Sequence, residues 1–433
     1  MYKVACYTLM FVLLTAVLVC GAGCRSIIFG KDDFRMEGGQ LYRGDKAFTV
    51  YGIETPGLGA TSGAPGEVVP AMARVAEAGG NAICFDLRGF NEDGSELDPT
   101  GVQTVDAIAF RAKDSRMGVL VRVLGDSSDP AFRNRAVRTA AKAFRGHGMA
   151  IYLIDGPDAA ELAETFKKAA PQLIVAAPQN GDLSLTGSPP QAPPEMPTLL
   201  AGAIPDFSLG AVHFLLEGND SDYAALDAAL MTEAEKSPWT PDNTVLSEAE
   251  RQEGFVALFD GKTLNGWWYK GENKESFQVS EDGFIEWRAG GGEALMSRER
   301  YGDFILRLQW KILPGGNSGV WCRAPRGARA SKFGFEVQMR GDFGAEELTK
   351  DNTGAVYDVV PPLSLPTKQD GLWNDLEVVC QGPHVKVTIN GQVVQDLSFD
   401  GHEELAPRLR RGFIGLTDHD NYVAFRNIRI KPL

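Results

Sequence analysis

The hydrophobic periodicity of this 433-residue chain changes near Phe255. Before this point, short apolar runs alternate with amphipathic helical segments. After it, apolar residues recur at every second position. Strands separated by helices favour a parallel sheet, whereas strict alternation favours half-buried antiparallel strands. The chain is long enough for two compact domains, each with its own core. We therefore expect a multidomain protein with an N-terminal α/β unit and an all-β C-terminal unit.

Apolar runs in residues 31–235 are predicted to be strands, and amphipathic segments lie between most of them. These runs are residues 49–54, 82–87, 118–124, 150–154, 173–177, 198–204 and 211–216. The segment is shorter than the roughly 250 residues typical of a complete (β/α) barrel. We therefore predict a small or incomplete (β/α) barrel, with an open α/β sheet as the structural alternative.

The C-terminal segment, residues 252–433, has the pattern of an antiparallel sandwich. Phe304, Leu306 and Leu308 alternate with more polar positions, and Asn390-Gly391 between two apolar runs indicates a tight hairpin. Recurring turn signals predict a two-sheet sandwich of the concanavalin-like jelly-roll type. The polar stretch 236–251 is predicted to be a linker that contains a brief helix beginning near Ser247.

The N-terminus has the features of an export signal. Lys3 is followed by an apolar run and then by Gly21-Ala22-Gly23-Cys24. The run is too short for a comfortable membrane span, and small residues before a cysteine resemble the bacterial lipoprotein cleavage box. We therefore expect residues 1–23 to be a signal peptide and Cys24 to be lipidated. The mature protein would then be anchored in the bacterial cell envelope, facing the periplasm or the exterior.

Charge and cysteine usage limit the partners further. The net charge of −14 repels phosphate backbones, so we expect no nucleic-acid partner. Cys84, Cys322 and Cys380 lie in apolar, strand-like contexts, where cysteine commonly acts as a small buried hydrophobe. A Cys322–Cys380 disulfide is the less favoured alternative.

Alternation assigns faces to the C-terminal strands. In residues 335–340 the odd positions are apolar and are predicted to face the core, which leaves Glu336 and Gln338 on the opposite face. By the same argument Trp321 and Arg323 point away from the core. An aromatic plane beside polar groups is what a pyranose ring needs for binding. The sequence therefore predicts a carbohydrate site on this face.

Six blocks in residues 252–433 carry a family resemblance. They are 255–268, Pro314-Gly315-Gly316-Asn317-Ser318-Gly319, Phe335-Glu336-Val337-Gln338, Thr353-Gly354-Ala355-Val356-Tyr357, Trp373-Asn374 and Asp418-His419. In this order they resemble the 3-keto-disaccharide (3-keto-glucoside) hydrolase family. The resemblance implies a reaction driven by the ketone at C3 of the sugar. That ketone acidifies the C2 proton, so a base can remove it, the C1 substituent leaves, and water adds back.

The resemblance also implies roles for individual residues. We expect His419 and Glu336 to be the acid and base, in an undecided order. The expected substrate-binding residues are Trp321, Arg323, Asn317, Gln338, Tyr357 and Asp351. No cofactor is firmly implied. A divalent metal held by Glu336, Asp351 and Asp418 is an open alternative.

The N-terminal segment bears a weaker resemblance to retaining-glycosidase barrels, through Leu41-Tyr42-Arg43-Gly44 and Gly79-Gly80-Asn81-Ala82. Those barrels carry the acid/base in Asn-Glu-Pro, but here the matching segment is Ile154-Asp155-Gly156-Pro157. The position of the nucleophile corresponds to Glu217. Retaining hydrolysis needs two carboxylates about 5 Å apart, and Gly156 supplies none. The barrel is therefore predicted to be catalytically degenerate.

Three functions remain open at this stage. The leading one is hydrolysis of 3-keto-glycosides by the sandwich domain. The chief alternative is a lectin-like, non-catalytic carbohydrate-binding lipoprotein, because a fold does not fix a function. A third is that the barrel is the active glycosidase and the sandwich its carbohydrate anchor.

Overall fold

The computed structural model describes residues 33–433 except 56, 61–62, 125–126, 187–197, 202–211, 218, 232 and 272. The predicted signal peptide and Cys24 lie outside the described residues. Within them, a parallel barrel is followed by two antiparallel sheets. No helix in the described ranges is both long and apolar enough to cross a membrane.

A small antiparallel sheet precedes the barrel. Its strands are β1 (Phe34–Glu37), β2 (Gln40–Arg43) and β3 (Lys46–Ala47). Phe34 and Leu41 are fully buried and pack with Cys84, Leu120 and Leu199. These three residues belong to barrel strands, so the small sheet covers one end of the barrel interior.

Eight parallel strands form a closed ring in the order β10-β11-β4-β5-β6-β7-β8-β9. Their bounds are β4 Tyr51–Glu54, β5 Ala82–Asp86, β6 Gly118–Arg122, β7 Ile151–Leu153, β8 Ile174–Ala177, β9 Leu183–Thr186, β10 Thr198–Ala201 and β11 Val212–Leu216. The predicted parallel sheet is confirmed. The prediction of seven strands was wrong, because β9 was missed.

Helices cover the outside of this ring. They are α1 Pro65–Glu77, α2 Pro99–Asp114, α3 Pro130–Ala143, α4 Ala159–Ala169 and α5 Asp220–Leu230, with a 3₁₀ turn at Leu58–Ala60. The short helix α6, Glu233–Lys236, follows and packs against the strand Trp267–Gly271 of the C-terminal unit. Local sequence starts two of these helices. Asp98 and Asp129 accept hydrogen bonds from the first free amides of α2 and α3, and a proline follows each cap.

Among the barrel connections that the structure describes, the one between β8 and β9 has no helix. Only five residues separate β8 from β9, fewer than the dozen or so that a helical crossover requires. The helical layer is therefore interrupted here, which accounts for the shortness of the segment relative to typical barrels.

The predicted linker contains ordered structure. A 3₁₀ turn at Asn243–Val245 precedes α7 (Glu248–Glu253). Ser247 and Glu250 form a reciprocal capping box, and Gly254 ends the helix with φ +89°. The predicted brief helix is confirmed.

The C-terminal unit consists of two antiparallel sheets of eight and five strands. The larger contains β12 Val256–Ala257, β14 Phe277–Val279, β15 Ile285–Trp287, β17 Phe304–Ile312, β20 Asn374–Gln381, β21 His384–Ile389, β22 Gln392–Ser398 and β24 Val423–Pro432. The smaller contains β13 Trp267–Gly271, β16 Gly292–Tyr301, β18 Asn317–Ala324, β19 Phe335–Arg340 and β23 Gly412–Thr417. A short helix, α8 (Ala330–Phe333), connects β18 to β19.

The sandwich core lies between the two sheets. Leu306, Leu308 and Trp310 from β17 pack with Val320 and Val337 from the smaller sheet. Burial along β17 alternates at every residue, as the period-two pattern predicted. Asn390 and Gly391 have φ values of +48° and +80° and connect β21 to β22, so the predicted hairpin is confirmed. Cys84, Cys322 and Cys380 are buried free thiols, and the alternative disulfide is not formed.

The barrel contacts the sandwich through the loop between β18 and α8. The buried Arg326 binds Glu235 at 2.7 and 2.6 Å and Asp227 at 2.9 Å. The amide of Gly327 donates to Ala76 O at 3.0 Å, and that of Arg329 donates to Ser115 O at 3.0 Å. Residues 326–329 of the sandwich are therefore held by helices of the barrel domain.

Candidate active site

The smaller sheet has one face against the core and one face that carries polar side chains. Directly paired residues of an antiparallel ladder project to the same side. Two neighbouring rows of paired residues cross the five strands. The first row consists of Trp268, Met296, Gly415, Trp321 and Glu336. The second row consists of Lys270, Ala294, Thr417, Gly319 and Gln338, of which Gly319 and Gln338 are directly paired. We call this surface the site face.

Small residues in the middle of the site face make room for larger neighbours. A Cβ atom added to Gly319 would collide with the carboxylate of Glu336. One added to Gly415 would lie 3.0 Å from Trp321 Cε3. The glycine at 319 therefore lets the Glu336 side chain lie over the strand beside it.

Glu336 and His419, the predicted acid and base, are brought together. Glu336 is 4% exposed, and its Oε2 accepts a hydrogen bond from Trp321 Nε1 at 3.0 Å. Its Oε1 has no hydrogen-bond partner among the described residues and lies 3.8 Å from His419 Nε2. His419 is 41% exposed, in the turn after β23. A buried carboxylate oxygen without a described hydrogen-bond partner thus lies beside a partly exposed imidazole.

Two further buried polar atoms on strands of the smaller sheet lack partners in the described part of the chain. They are Oδ1 of Asn317 and Oγ1 of Thr417. Leaving a buried polar atom unpaired costs roughly 1–3 kcal/mol, so native structures rarely retain several in one place without a reason. The site face is therefore prepared to hydrogen-bond a polar ligand.

Tyr357, Gln338 and Asp351 lie at the β19 edge of this surface. The amide of Tyr357 donates to Glu336 O at 3.0 Å, and the tyrosine ring is half-buried. Gln338 Nε2 donates to Asp351 Oδ1 at 2.8 Å. Arg340 Nη2 lies 3.5 Å from Asp351 Oδ2. These predicted binding residues form a polar border next to Glu336.

The prediction for Arg323 was wrong. Its side chain is fully buried and donates to Gly302 O at 2.9 Å, Gly382 O at 2.8 Å and Asp303 Oδ1 at 3.1 Å. The register of β18 shifts between Trp321 and Ala324, and Arg323 has φ +52°. This bulge breaks the alternation, so Arg323 does not reach the site face.

Trp321 lies on the predicted face but is only 8% exposed. It packs with Trp268, Ala324 and Ala330, and its indole N–H is used by Glu336. Trp321 thus points to the predicted face, but its neighbours cover most of the ring. The ring acts as a support for the Glu336 carboxylate.

The carboxylates considered as metal ligands do not converge. Within the described ranges, no three His, Cys, Asp or Glu side chains are placed to hold a metal ion. Asp418 accepts from Trp287 Nε1 at 2.9 Å and from Gly292 N at 3.2 Å. Asp351 is committed to Gln338. Both carboxylates hold the protein scaffold together.

Lys270 is a site residue that the sequence analysis missed. Its Nζ donates to Ala328 O at 2.9 Å and lies 5.8 Å from the centroid of the Trp321 ring. The side chain is 11% exposed. Burial lowers the pKa of Lys270 to about 8; Glu293 opposes this shift, and Arg116 and Arg326 add to it. The sequence signal for it was its position two residues after Trp268, because alternate residues of a strand lie on the same face.

The mouth of the barrel has a different organisation. Arg122, at the end of β6, forms ion pairs with Glu54, with Asp86 at 3.2 Å and with Asp155 at 3.1 Å. One guanidinium thus engages three carboxylates. Glu217 is exposed just after β11.

Gly156 has φ +93°, and the Arg133 guanidinium fills the space where its side chain would be. Glycine has no carboxylate, and a larger residue at this position would have no room for its side chain. Position 156 therefore does not supply an acid/base. The geometry is consistent with the predicted degenerate barrel.

The C-terminal segment matches known proteins. Residues 254–431 match the family model described as a 3-keto-alpha-glucoside-1,2-lyase-like domain. A 3-keto-disaccharide hydrolase of Bacteroides thetaiotaomicron is 29% identical over 42% of this chain and 79% of that protein. A crystal structure from Parabacteroides distasonis, of a protein proposed to be a glycosyl hydrolase, is 24% identical with a TM-score of 0.39, covering 44% of this chain and 98% of that one. A carbohydrate-binding module of Bacillus subtilis is 18% identical with a TM-score of 0.28, covering 38% and 94%. By the match to the family model, this segment of the chain, residues 254–431, is a 3-keto-alpha-glucoside-1,2-lyase-like domain.

Proposed function

We propose that the sandwich domain hydrolyses 3-keto-glycosides at the site face. The observation that carries this proposal is the pairing of Glu336 with His419, in which a buried carboxylate oxygen without a partner lies 3.8 Å from an imidazole nitrogen. A carboxylate and an imidazole are suitable as a base and an acid near neutral pH. The family match and the curated relative support the choice of substrate.

In this proposal Glu336 is the base and His419 the acid. The buried carboxylate removes the C2 proton, which the C3 ketone has made acidic. The C2–H electron pair enters a C2–C3 double bond, and the carbonyl pair moves to the C3 oxygen. When the ketone re-forms, a C1–C2 double bond appears and the C1–O bond breaks. His419, exposed at the rim, donates a proton to the departing oxygen.

Water completes the hydrolysis by adding to the C1–C2 double bond. Neutral His419 takes a proton from the water as its oxygen bonds to C1, and protonated Glu336 returns a proton to C2. Both residues end in their starting states. Asn317 and Thr417, with their unpaired oxygens, are suitable partners for the sugar hydroxyls during both steps.

The direct test compares a 3-keto-glucoside with the unoxidised glucoside, using the purified full chain in deuterated water. We expect sugar release only from the keto form, with deuterium at C2, because the abstracted proton exchanges before water is added. Binding of the keto sugar without release would favour the lectin-like alternative. Release from both forms, without label at C2, would contradict the elimination route.

The barrel is proposed to lack glycosidase activity. Gly156 supplies no acid, and Glu217 is the only residue of the presumed pair that is present. Hydrolysis of ordinary β-glucosides that disappears in Glu217→Ala, and persists in Glu336→Gln, would instead make the barrel the active unit.

We also propose a cell-envelope location through lipidated Cys24, which the mass of the mature N-terminal peptide tests.

A further inference from the structure

We propose that Lys270 is a further catalytic residue, whose ammonium group binds the C3 carbonyl oxygen and stabilises the enolate. This inference rests on the proposed function. No part of the sequence resemblance pointed to this lysine. It is identified by its place on the site face and by the groups around it.

The first support is the position of Lys270 relative to Glu336. Its Nζ lies 5.8 Å from the centroid of the Trp321 ring, and the Nε1 of that ring donates to Glu336 at 3.0 Å. The ammonium and the carboxylate are therefore both neighbours of the same indole ring. A sugar bound over this part of the site face would present its C2 proton to Glu336 and its C3 oxygen to Lys270.

The second support is that the ammonium has donors available. One of its three N–H groups binds Ala328 O at 2.9 Å. Among the described residues, the nearest carboxylate to it is that of Glu293, which lies 4.0 Å away and also pairs with Arg116 at 3.2 Å. Within that part of the chain, Lys270 is thus a largely buried cation without a tight ion pair. A positive charge that is largely buried interacts strongly with a developing oxyanion.

The proposed step conserves atoms and electrons. Glu336 takes the C2 proton, the C2–H pair forms the C2–C3 double bond, and the carbonyl pair moves onto the C3 oxygen beside Lys270. The lysine keeps its proton throughout and donates a hydrogen bond. The charge on the oxygen disappears when the ketone re-forms and the C1 substituent leaves.

The barrel domain positions this lysine. Ala328, which accepts its hydrogen bond, lies between Gly327 and Arg329, and the amides of those two residues bind barrel carbonyls. Arg116 of the barrel binds Glu293 and so competes for the carboxylate nearest to Lys270. Arg116 is accordingly a positioning residue that leaves the lysine free for substrate.

The test uses full-length protein and two probes, nitrophenyl and methyl 3-keto-glucosides. Nitrophenolate leaves without an acid, whereas an alkoxide needs one. We expect Lys270→Met to lower kcat on both probes by about 10²–10³, with a smaller change in KM, and to lower C2 deuterium exchange equally. His419→Ala should be impaired mainly on the methyl probe. Lys274→Met, at an exposed lysine on the same domain, is the matched control.

Three results would overturn the inference. Wild-type kcat or C2 exchange in Lys270→Met would show that the lysine does not act on the enolate. Reductive trapping of the keto sugar on Lys270 by borohydride would show an imine in place of a hydrogen-bonded ammonium. An inactive wild-type protein would contradict the proposed function and, with it, the role of Lys270.

Loss of folding would be a separate explanation for an inactive Lys270 variant, and the choice of substitutions addresses it. Replacing a buried, loosely paired lysine with an apolar residue of similar length is commonly neutral for stability. Lys270→Arg provides a second variant, because it keeps the charge. We expect it to retain part of the activity and to move the alkaline decline of kcat to higher pH, since arginine does not lose its proton there.

Discussion

Oε1 of Glu336 lies 3.8 Å from Nε2 of His419, and no other described residue hydrogen-bonds to this oxygen. The separation is longer than a hydrogen bond, so the two groups adjoin without satisfying each other. A reacting atom can therefore interact with both. The other oxygen of the same carboxylate is fixed by Trp321, which orients the free one.

Replacing Glu336 with glutamine should lower kcat by about 10²–10⁴, the usual contribution of a general base, with little effect on binding of the keto sugar. Single-turnover kinetics and calorimetric binding measure the two effects. Glu403→Gln, at an exposed position, is the control. Equal losses of binding and turnover would argue for a role in recognition alone.

Replacing Arg116 with glutamine should shift the alkaline decline of kcat to higher pH. Arg116 is a positive neighbour that lowers the pKa of Lys270, and it also occupies Glu293. Its removal raises that pKa, so the ammonium persists at higher pH. The measurement is the pH profile of kcat between pH 6 and 10 on the nitrophenyl probe. Arg138→Gln, exposed on α3, should leave the profile unchanged.

His213 should make the barrel sensitive to acid. Burial lowers the pKa of this histidine to about 4, and its Nδ1 accepts a hydrogen bond from Val50 N at 2.9 Å. The unfolded chain binds a proton below about pH 6.5, and the folded chain does not until about pH 4. The contribution of neutral His213 to the free energy of unfolding is therefore complete above pH 6.5. It is lost as the pH falls toward 4, and the loss is on the order of 3 kcal/mol.

Chemical denaturation of the wild type and of His213→Gln at pH 7 and pH 4.5 tests this. The variant should be less stable at pH 7 but should lose less on acidification. The same substitution at His384, which is half-exposed and paired with Asp396, provides the comparison. If the free energy of unfolding had the same pH dependence in the wild type and in His213→Gln, His213 would not be the cause of the acid sensitivity.

Arg323 should matter for folding and not for catalysis. Its removal by Arg323→Ala takes the Arg323 donor away from two backbone carbonyls and from Asp303, which keeps the hydrogen bond from Gly382 N. We expect a loss of about 3 kcal/mol in the free energy of unfolding, while kcat per folded molecule stays near wild type. Arg307→Ala, at a partly exposed pair with Glu377, should cost less than about 1 kcal/mol. A fall in kcat without a loss of stability would show that Arg323 takes part in the reaction.

Local patterns predicted much of the sandwich because one face of each strand is buried. The alternation in β17 and in residues 335–340 assigned the correct faces, and Asn390-Gly391 located a hairpin. The same rule failed at Arg323, because the bulge that reverses its direction depends on backbone geometry that no single residue type signals.

Two other features depend on contacts that are distant in sequence. Strand β9 is a short, half-polar run, Leu183–Thr186, which becomes a strand by pairing with β8 and β10. In sequence, Lys270 is marked only by its position two residues after Trp268, which does not indicate burial. Only the approach of the 326–329 loop, held by the barrel, buries it and gives it a partner in Ala328.

Arg326 has a consequence for protein engineering. Its guanidinium is buried, and Asp227 on α5 and Glu235 on α6 meet its charge. A fragment that begins after α6 would lose both carboxylates and would leave this guanidinium, and the rings of Trp268 and Phe413 that it covers, more open to water. The sandwich can therefore be transplanted to another scaffold most readily together with residues 220–236.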